Sequence, residues 1–352
     1  MDFFVIAFLI IVFIGMKPMK INESYIGLES TTAIKGVFAI IILFNHTRQY
    51  LDNPITNWEG QSYVYLFNNC IDIFGQLMVV MFLTYSGYGI MESFKRKKND
   101  YLSGFVRKRV VKTLIHFDLA VLLFLILAII LGHEYTPKEY ILSFIGWEAI
   151  GNSNWFIFDI IILYLIAFIG LKLVQKYHLN VKQFLWLIFI MCLAFLIFMF
   201  KAKTGLQWWY DTILSFPIGL LWSSYKDIID RIFKNQINYV GVFLLVLIGF
   251  GLSYYLGHNY KAFFLLICAP IFSILIILIT MRLKIGNKIL YWLGINAFAI
   301  YILQRIPMII AKEYNFHFKP IIFFGIVLTT TLIIASFFTS ITSYLDKKLF
   351  LN

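Results

Sequence analysis

One apolar run of the chain, AIKGVFAIIILFNHT, carries Lys35 near its start and His46 at its end, eleven residues apart. An ionisable side chain inside such a run costs at least a few kcal/mol in lipid, so it must face a protein interior or a cavity. On a helix, eleven residues turn about 1100°, which is about 20° past three full turns, and rise about 16 Å. Lys35 and His46 therefore share one face and address one interior from two depths. Imidazole titrates near neutral pH and can take a proton from a hydroxyl as a general base. The plainer reading of the same residue is an interfacial histidine hydrogen-bonded at a helix end.

A second constellation is the stretch from residue 95 to 112, KRKKNDYLSGFVRKRVVK, with eight basic residues in eighteen. A topology anchor meeting anionic headgroups accounts for most of its first four residues. Arg107, Arg109 and Lys112 also suit phosphate, which guanidinium forks grip in two places. Glu92, His116 and Asp118 flank the stretch and would neutralise it. Asp72, Asp159 and Asp211 fall at or near the ends of apolar runs on the His46 side. Any of them could orient the imidazole as a His–Asp pair does, and Asp159, in WFIFD, is the best placed. An interfacial cap or an ion pair with Arg305 competes with that role. His133, His178, His258 and His317 lie between runs and read as solvated, and Trp155, Trp208, Trp209 and Tyr210 fit an interfacial aromatic belt. Cys70, Cys192 and Cys268 have no metal-ligand spacing and read as packing residues, so no metal is expected. There is no P-loop or dinucleotide fingerprint.

The elements that must position these residues follow from composition. Of 352 residues, 61% are hydrophobic and 14% charged, with mean hydropathy +0.83, whereas soluble domains carry about 25% charged residues. That excludes a soluble globule, a disordered chain and a coiled coil. Eleven apolar runs lie near residues 2–16, 34–47, 70–92, 113–132, 154–173, 184–200, 211–225, 238–257, 262–281, 289–310 and 320–344. Runs of this length cross a bilayer as helices. The expected fold is an all-α polytopic membrane bundle of about 10 or 11 helices, with 34–47 and 211–225 the weakest spans. The opening MDFFVIAFLIIVFIGM lacks a basic lead and a small-residue cleavage site and reads as an uncleaved first span. With eleven spans, 22 basic residues fall on one side and 8 on the other. The net charge of +12 thus expresses the positive-inside bias rather than nucleic-acid binding, with the amino terminus outside and the carboxyl terminus cytoplasmic. No repeat or linker divides the chain, so one domain is expected over 1–352.

The Lys35-to-His46 run resembles the opening signature of the acyltransferase-3 family of bacterial integral membrane acyltransferases, a basic residue, ten mostly apolar residues and then histidine. Further segments agree in order. FLTYSGYGI (82–90) resembles the family's Leu-Ser-Gly-Tyr/Phe segment, and FVRKRVVKTL (105–114) its Arg-x-x-Arg element. NWFIFDIIILYL (154–165) is similar to its Trp-Phe-Leu…Tyr-Leu span, and LGINAFAIYILQRIPM (293–308) to its Leu-Gly…Ser…Ile-Tyr-Leu-x-His-x-Pro segment. The likeness covers about residues 30–345, leaving 2–16 as an extra span. Three positions depart from it. The basic element reads Arg109-Val-Val-Lys112, Asn296 stands where Ser is usual, and Gln304, whose amide accepts no proton, stands at the late histidine.

The resemblance implies a multi-pass protein of the bacterial plasma membrane. It would move an acetyl group from cytosolic acetyl-CoA to a hydroxyl of a cell-surface or capsular polysaccharide. His46 would be the general base with Asp159 beside it. Lys35, Arg107, Arg109 and Lys112 would hold the acyl-CoA, and membrane lipid and the glycan would be the other partners. A direct transfer and an acyl-enzyme route both fit. A transporter or flippase for a glycan or lipid-linked sugar, a polysaccharide polymerase and an assembly partner also remain open.

Overall fold

The chain is an all-α polytopic bundle, and the computed structural model describes residues 2–50, 62–260, 263–316 and 319–350 of it. Backbone polar groups in a bilayer must be satisfied within their own segment, and each apolar run accordingly forms a helix. In order these are α1 (Asp2–Ile14), α2 (Leu28–Arg48), α3 (Ser62–Ser103), α4 (Lys112–Leu131), α5 (Pro137–Ser143), α6 (Trp155–Tyr177) and α7 (Val181–Ala202). They are followed by α8 (Ser215–Phe233), α9 (Gln236–Asn259), α10 (Phe263–Arg282), α11 (Lys288–Ile295), α12 (Ala297–Leu303), α13 (Arg305–Glu313) and α14 (Pro320–Phe350). A π-helical turn, Val106–Val111, leads into α4.

Eight helices among the described residues are long and apolar enough to cross a membrane, and the bent pair α11 and α12–α13 makes a ninth if it is one span. The expected ten or eleven differ from this at α1 and α8. At 13 residues, α1 is about 20 Å long against a hydrocarbon core of about 30 Å. The second half of α8 holds Lys226, Asp227, Asp230 and Arg231, and the helix bends at Tyr225. Even so, α8 links the two ends of the bundle. Asp211, just before it, accepts a hydrogen bond from Gln76, and Asp230, near its close, accepts one from Tyr25.

Two close crossings fix the helices that carry the chemistry. A Cβ on Gly294 would fall 1.8 Å from the Thr32 carbonyl oxygen, and one on Gly36 would fall 2.3 Å from that of Leu290. The α2 and α11 backbones therefore touch. A Cβ on Gly219 would fall 1.9 Å from the Thr84 carbonyl oxygen, and one on Gly87 would fall 2.3 Å from that of Phe216, so α3 and α8 touch likewise. Small residues permit this approach where no hydrophobic drive pulls helices together in lipid. Helices α4, α7 and α9 turn large apolar side chains outward, as lipid-facing helices must.

The basic segments gather at one end. The strands β1 (Met16–Pro18) and β2 (Leu283–Ile285) pair antiparallel there. Tyr25 donates to Asp230 at 2.7 Å, Arg282 donates to the Phe233 carbonyl at 2.8 Å, and Lys95 donates to the Ser223 carbonyl. At the opposite end Lys203 stacks between Trp147 and Trp209, 4.1 and 4.4 Å from their ring centres, and donates to the Trp147 carbonyl. Trp209 is buried by this stack rather than belonging to an interfacial belt, while Trp208 remains exposed. Cys192 and Cys268 are buried free thiols, as packing residues would be. Cys70, Asp72 and His317 lie outside the residues whose side chains are described.

Candidate active site

At the basic end, α2, α3, the π-helical turn, α6 and the α11–α12 junction enclose a cavity of about 690 Å³. That is within the range of about 300–1,000 Å³ usual for ligand pockets. Lys35, Arg109, Arg96, Ser86 and Tyr164 line it. The Arg109 guanidinium lies 5.9 Å from the centre of the Tyr164 ring, and the Tyr101 and Tyr164 hydroxyls are within its reach. Ser86 and Tyr164 share a hydrogen bond of 3.3 Å. Burial pushes the Tyr101 phenol above its ordinary range, against the pull of the Arg109 charge. Lys35 and Arg109 are near enough for their charges to repel. Two cations held together against this repulsion make a seat for an anion.

The other two basic candidates point elsewhere. Lys112 pairs with Asp346 of α14 at 2.6 Å, and His116 binds the same carboxyl at 2.9 Å. Arg107 donates to the Leu349 carbonyl and lies 5.8 Å from the centre of the Phe350 ring. An α-helix would set Arg109 and Lys112 about 60° apart. The π-helical turn, in which the Lys112 amide reaches back to the Arg107 carbonyl, opens that angle and separates them. Arg96 has the reverse history. It sits in the run that reads as a headgroup anchor, yet Ser86, Gly89, Ser93 and Arg96 form one stripe of α3 that faces the cavity. Their i, i+3, i+7, i+10 spacing is the helical signal that marks it.

His46 lies at the other end of α2, against the buried Gln304 side chain and close to Arg305. Gln304 donates to the Tyr301 carbonyl at 2.9 Å. Both His46 Nδ1 and Gln304 Oε1 are nonetheless buried without a hydrogen-bond partner, so ring and amide meet in poor hydrogen-bond geometry. Arg305 donates to Ser153 at 2.9 Å. The expected His–Asp pair is not formed. Asp159 is fully buried and neither carboxyl oxygen has a partner; it lies instead near Asp211 and Tyr301. Asp159 points this way because α6 turns its Phe156 ring onto Tyr301, 5.5 Å between centres, one helical turn before Asp159. Gln304, at the position where the resemblance expects histidine, is what meets the imidazole. Its departure from the pattern marked the place, though not the contact.

A row of rings links the two ends. Phe82, on the cavity wall, meets Phe156 at 6.1 Å, and Phe156 meets Tyr301, which precedes Gln304 by three residues. One helix, α2, thus presents an ammonium to an open cavity and an imidazole to a cluster of buried polar side chains. Such a pair can hold an anionic group at one end and deprotonate a hydroxyl at the other. The sequence model of one family, described as an acyltransferase domain, matches residues 29–340. No curated protein and no solved structure matches the chain.

Proposed function

Because the chain belongs to the acyltransferase-3 family, whose sequence model covers most of its length, and is therefore a membrane acyltransferase, we propose that it moves an acetyl group from acetyl-CoA to a hydroxyl of an extracytoplasmic glycan. The observation that carries this reading is the pairing on α2 of Lys35, in an open basic cavity, with His46, whose Nδ1 is buried and unpartnered.

The donor enters at the basic end, which the positive-inside bias puts in the cytoplasm. Lys35 and Arg109 meet its phosphates, Arg96 guards the cavity mouth, and the thioester arm runs inward along Ser86 and Tyr164. The acceptor hydroxyl comes to His46 from the opposite side. His46 takes its proton as the alkoxide oxygen attacks the thioester carbonyl, and the thiolate leaves toward the basic end. Gln304 and Arg305 fix the imidazole in place of a carboxylate. The membrane is the bacterial plasma membrane, where acetyl-CoA lies on one side and cell-surface glycan on the other.

The test is transfer of labelled acetyl from acetyl-CoA to a cell-surface glycan fraction by the purified protein, beside the His46→Ala variant. Label on the glycan with wild type and none with the variant is the expected result. Acetyl-CoA that neither binds nor turns over with folded wild-type protein would overturn the reading in favour of a glycan transporter.

A further inference from the structure

We propose that a cavity between α2, α4 and α13 at the His46 end is the acceptor site and takes a saccharide, an inference that rests on the acyl-transfer reading above and gives its acceptor a place. The cavity has a volume of about 290 Å³, and Tyr50, His133, Glu134 and Tyr135 line it above a floor that includes Phe124 and Ile309. The groups gathered at His46 each stand a short step of chain away from it. Tyr50 follows His46 by four residues, and Gln49 between them keeps helical dihedrals. Tyr50 therefore lies about 40° round the axis from His46 and about 6 Å further from Lys35. Ile309 follows Arg305 by four residues of α13 in the same way. Gly151, also on the cavity wall, precedes by two residues the Ser153 hydroxyl that accepts from Arg305 at 2.9 Å. The cavity thus caps the His46 cluster on the side away from the donor, which is the side an acceptor hydroxyl has to use. A second cavity at this end, lined by Gln76, Asp211 and His258, has only about 60 Å³, far below the roughly 300 Å³ at which ligand pockets begin.

The lining suits a sugar ring, which has apolar C–H faces and a rim of hydroxyls. Tyr50 and Tyr135 offer rings with an apolar body and a hydroxyl that both donates and accepts. Glu134 accepts from hydroxyls, and His133 carries one ring nitrogen of each kind when neutral. None of the described lining residues is a lysine or arginine, so a phosphate is poorly served here, whereas the donor cavity is lined by Lys35, Arg96 and Arg109. The two cavities therefore differ in charge as a nucleotide donor and a neutral glycan differ.

The loop that carries three of these residues is preformed. Helix α4 ends at Gly132, whose φ of +71° lets the His133 amide reach back to the Ala128 carbonyl at 2.9 Å. Thr136 then caps α5 in a reciprocal pair of bonds with Glu139. Between these anchors the Tyr135 ring meets Tyr140 edge-on, 6.0 Å between centres. A wall fixed from both sides loses little freedom when it binds. The His133 and Glu134 side chains are exposed and so available to a ligand.

The probe is the cell-surface polysaccharide cut to oligosaccharides and freed of its own acetyl groups by mild base. It is titrated into the protein without donor, and separately acetylated from acetyl-CoA, with Tyr50→Ala, Tyr135→Ala and Glu134→Gln beside wild type. Glu134→Gln keeps the size of an exposed side chain, so it serves if a tyrosine variant fails to fold. The tyrosine variants should raise the KM for oligosaccharide about tenfold, as loss of an aromatic contact does, and Glu134→Gln should raise it less. Oligosaccharide binding should weaken in step, acetyl-CoA affinity should hold, and saturating oligosaccharide should restore most of the rate. Wild-type KM and oligosaccharide affinity in every folded variant would overturn the site. So would a rate lost at unchanged KM, which saturating oligosaccharide does not restore. Oligosaccharide that binds wild type more tightly than the variants, yet is never acetylated, would keep the site and overturn the acyl-transfer reading.

Discussion

The two ends of α2 differ in how their polar groups are satisfied. Around Lys35 the cavity is open and roomy, and several of its side chains engage one another, Ser86 bonding Tyr164 and Arg109 lying against Tyr164, while the Tyr85 and Tyr101 hydroxyls are buried without a partner. Around His46 the groups are enclosed and unpaired: His46 Nδ1, Gln304 Oε1, the Tyr301 hydroxyl and both Asp159 oxygens lack partners. A buried unpaired polar group costs about 1–3 kcal/mol. Such a cost persists where a ligand or a transferred proton repays it. The basic end is built to hold a charged group that arrives from water. The His46 end is built to react with a hydroxyl that brings its own hydrogen bonds.

Both ends depend on α2 staying against α11, so the largest expected effect is the loss of both together. Gly294→Val places a side chain where even a Cβ would meet the Thr32 carbonyl oxygen at 1.8 Å. Backbone, unlike the tip of a side chain, cannot move aside. The expected cost exceeds about 3 kcal/mol, beyond ordinary overpacking. Thermal unfolding in detergent should show a large drop in midpoint, or no folded protein at all. A Gly294→Val protein as stable as wild type would mean that the crossing does not hold the two ends in register.

The next effect separates them. His46→Ala should lower acetyl transfer by at least about 100-fold, the range of a lost general base. Acetyl-CoA affinity should be unchanged, because the donor cavity is lined by other residues. Isothermal titration with acetyl-CoA and a transfer assay on the same preparation read both quantities. Equal losses in binding and transfer would erase the distinction between the ends.

Much of this contrast was legible in the sequence, and the illegible part has physical causes. The helices follow from runs long enough to span lipid, and Lys35 faces the cavity and Asp159 is buried because ionisable groups in such runs must turn inward. Gly87, in the small-residue stretch Ser86-Gly87-Tyr88-Gly89, lets α3 meet the α8 backbone. Three features escaped. Helical spacing cannot foresee a π-helical turn, so Arg109 and Lys112 read as partners when the turn parts them. The row Lys95-Arg96-Lys97-Lys98 hides Arg96, which belongs by its register to the polar stripe of α3. Gln304 drew notice only as a departure from histidine, because a contact between α2 and α12–α13 is tertiary and leaves no trace in local pattern.

At the basic end Arg109→Ala should weaken acetyl-CoA binding by about 10- to 100-fold, the worth of a hydrogen-bonded charge of about 1.5–3 kcal/mol. Lys35→Ala should act in the same direction, though an ammonium is a point charge without the bidentate fork. In both variants, saturating donor should recover most of the transfer rate, because His46 is untouched. A variant in which saturating donor recovers nothing would place Arg109 in the transfer step itself and so blur the two ends.

The smallest expected effect is the sharpest test of where the donor ends. Lys112 reads from sequence as the partner of Arg109, yet its ammonium sits 2.6 Å from Asp346, and Asp346 is also held by His116. Lys112→Ala should therefore change acetyl-CoA affinity by less than about twofold. It should cost stability by about 0–1 kcal/mol, as a partly exposed ion pair does, with His116 keeping Asp346 engaged. Titration of donor into Lys112→Ala and Arg109→Ala side by side makes the comparison. If the two lose affinity equally, α14 must give up Lys112 when donor binds, and the basic end would be remodelled by its ligand rather than preformed. If only Arg109→Ala loses affinity, the π-helical turn has divided one basic element into two tasks, with Arg109 for the donor and Lys112 for anchoring α14.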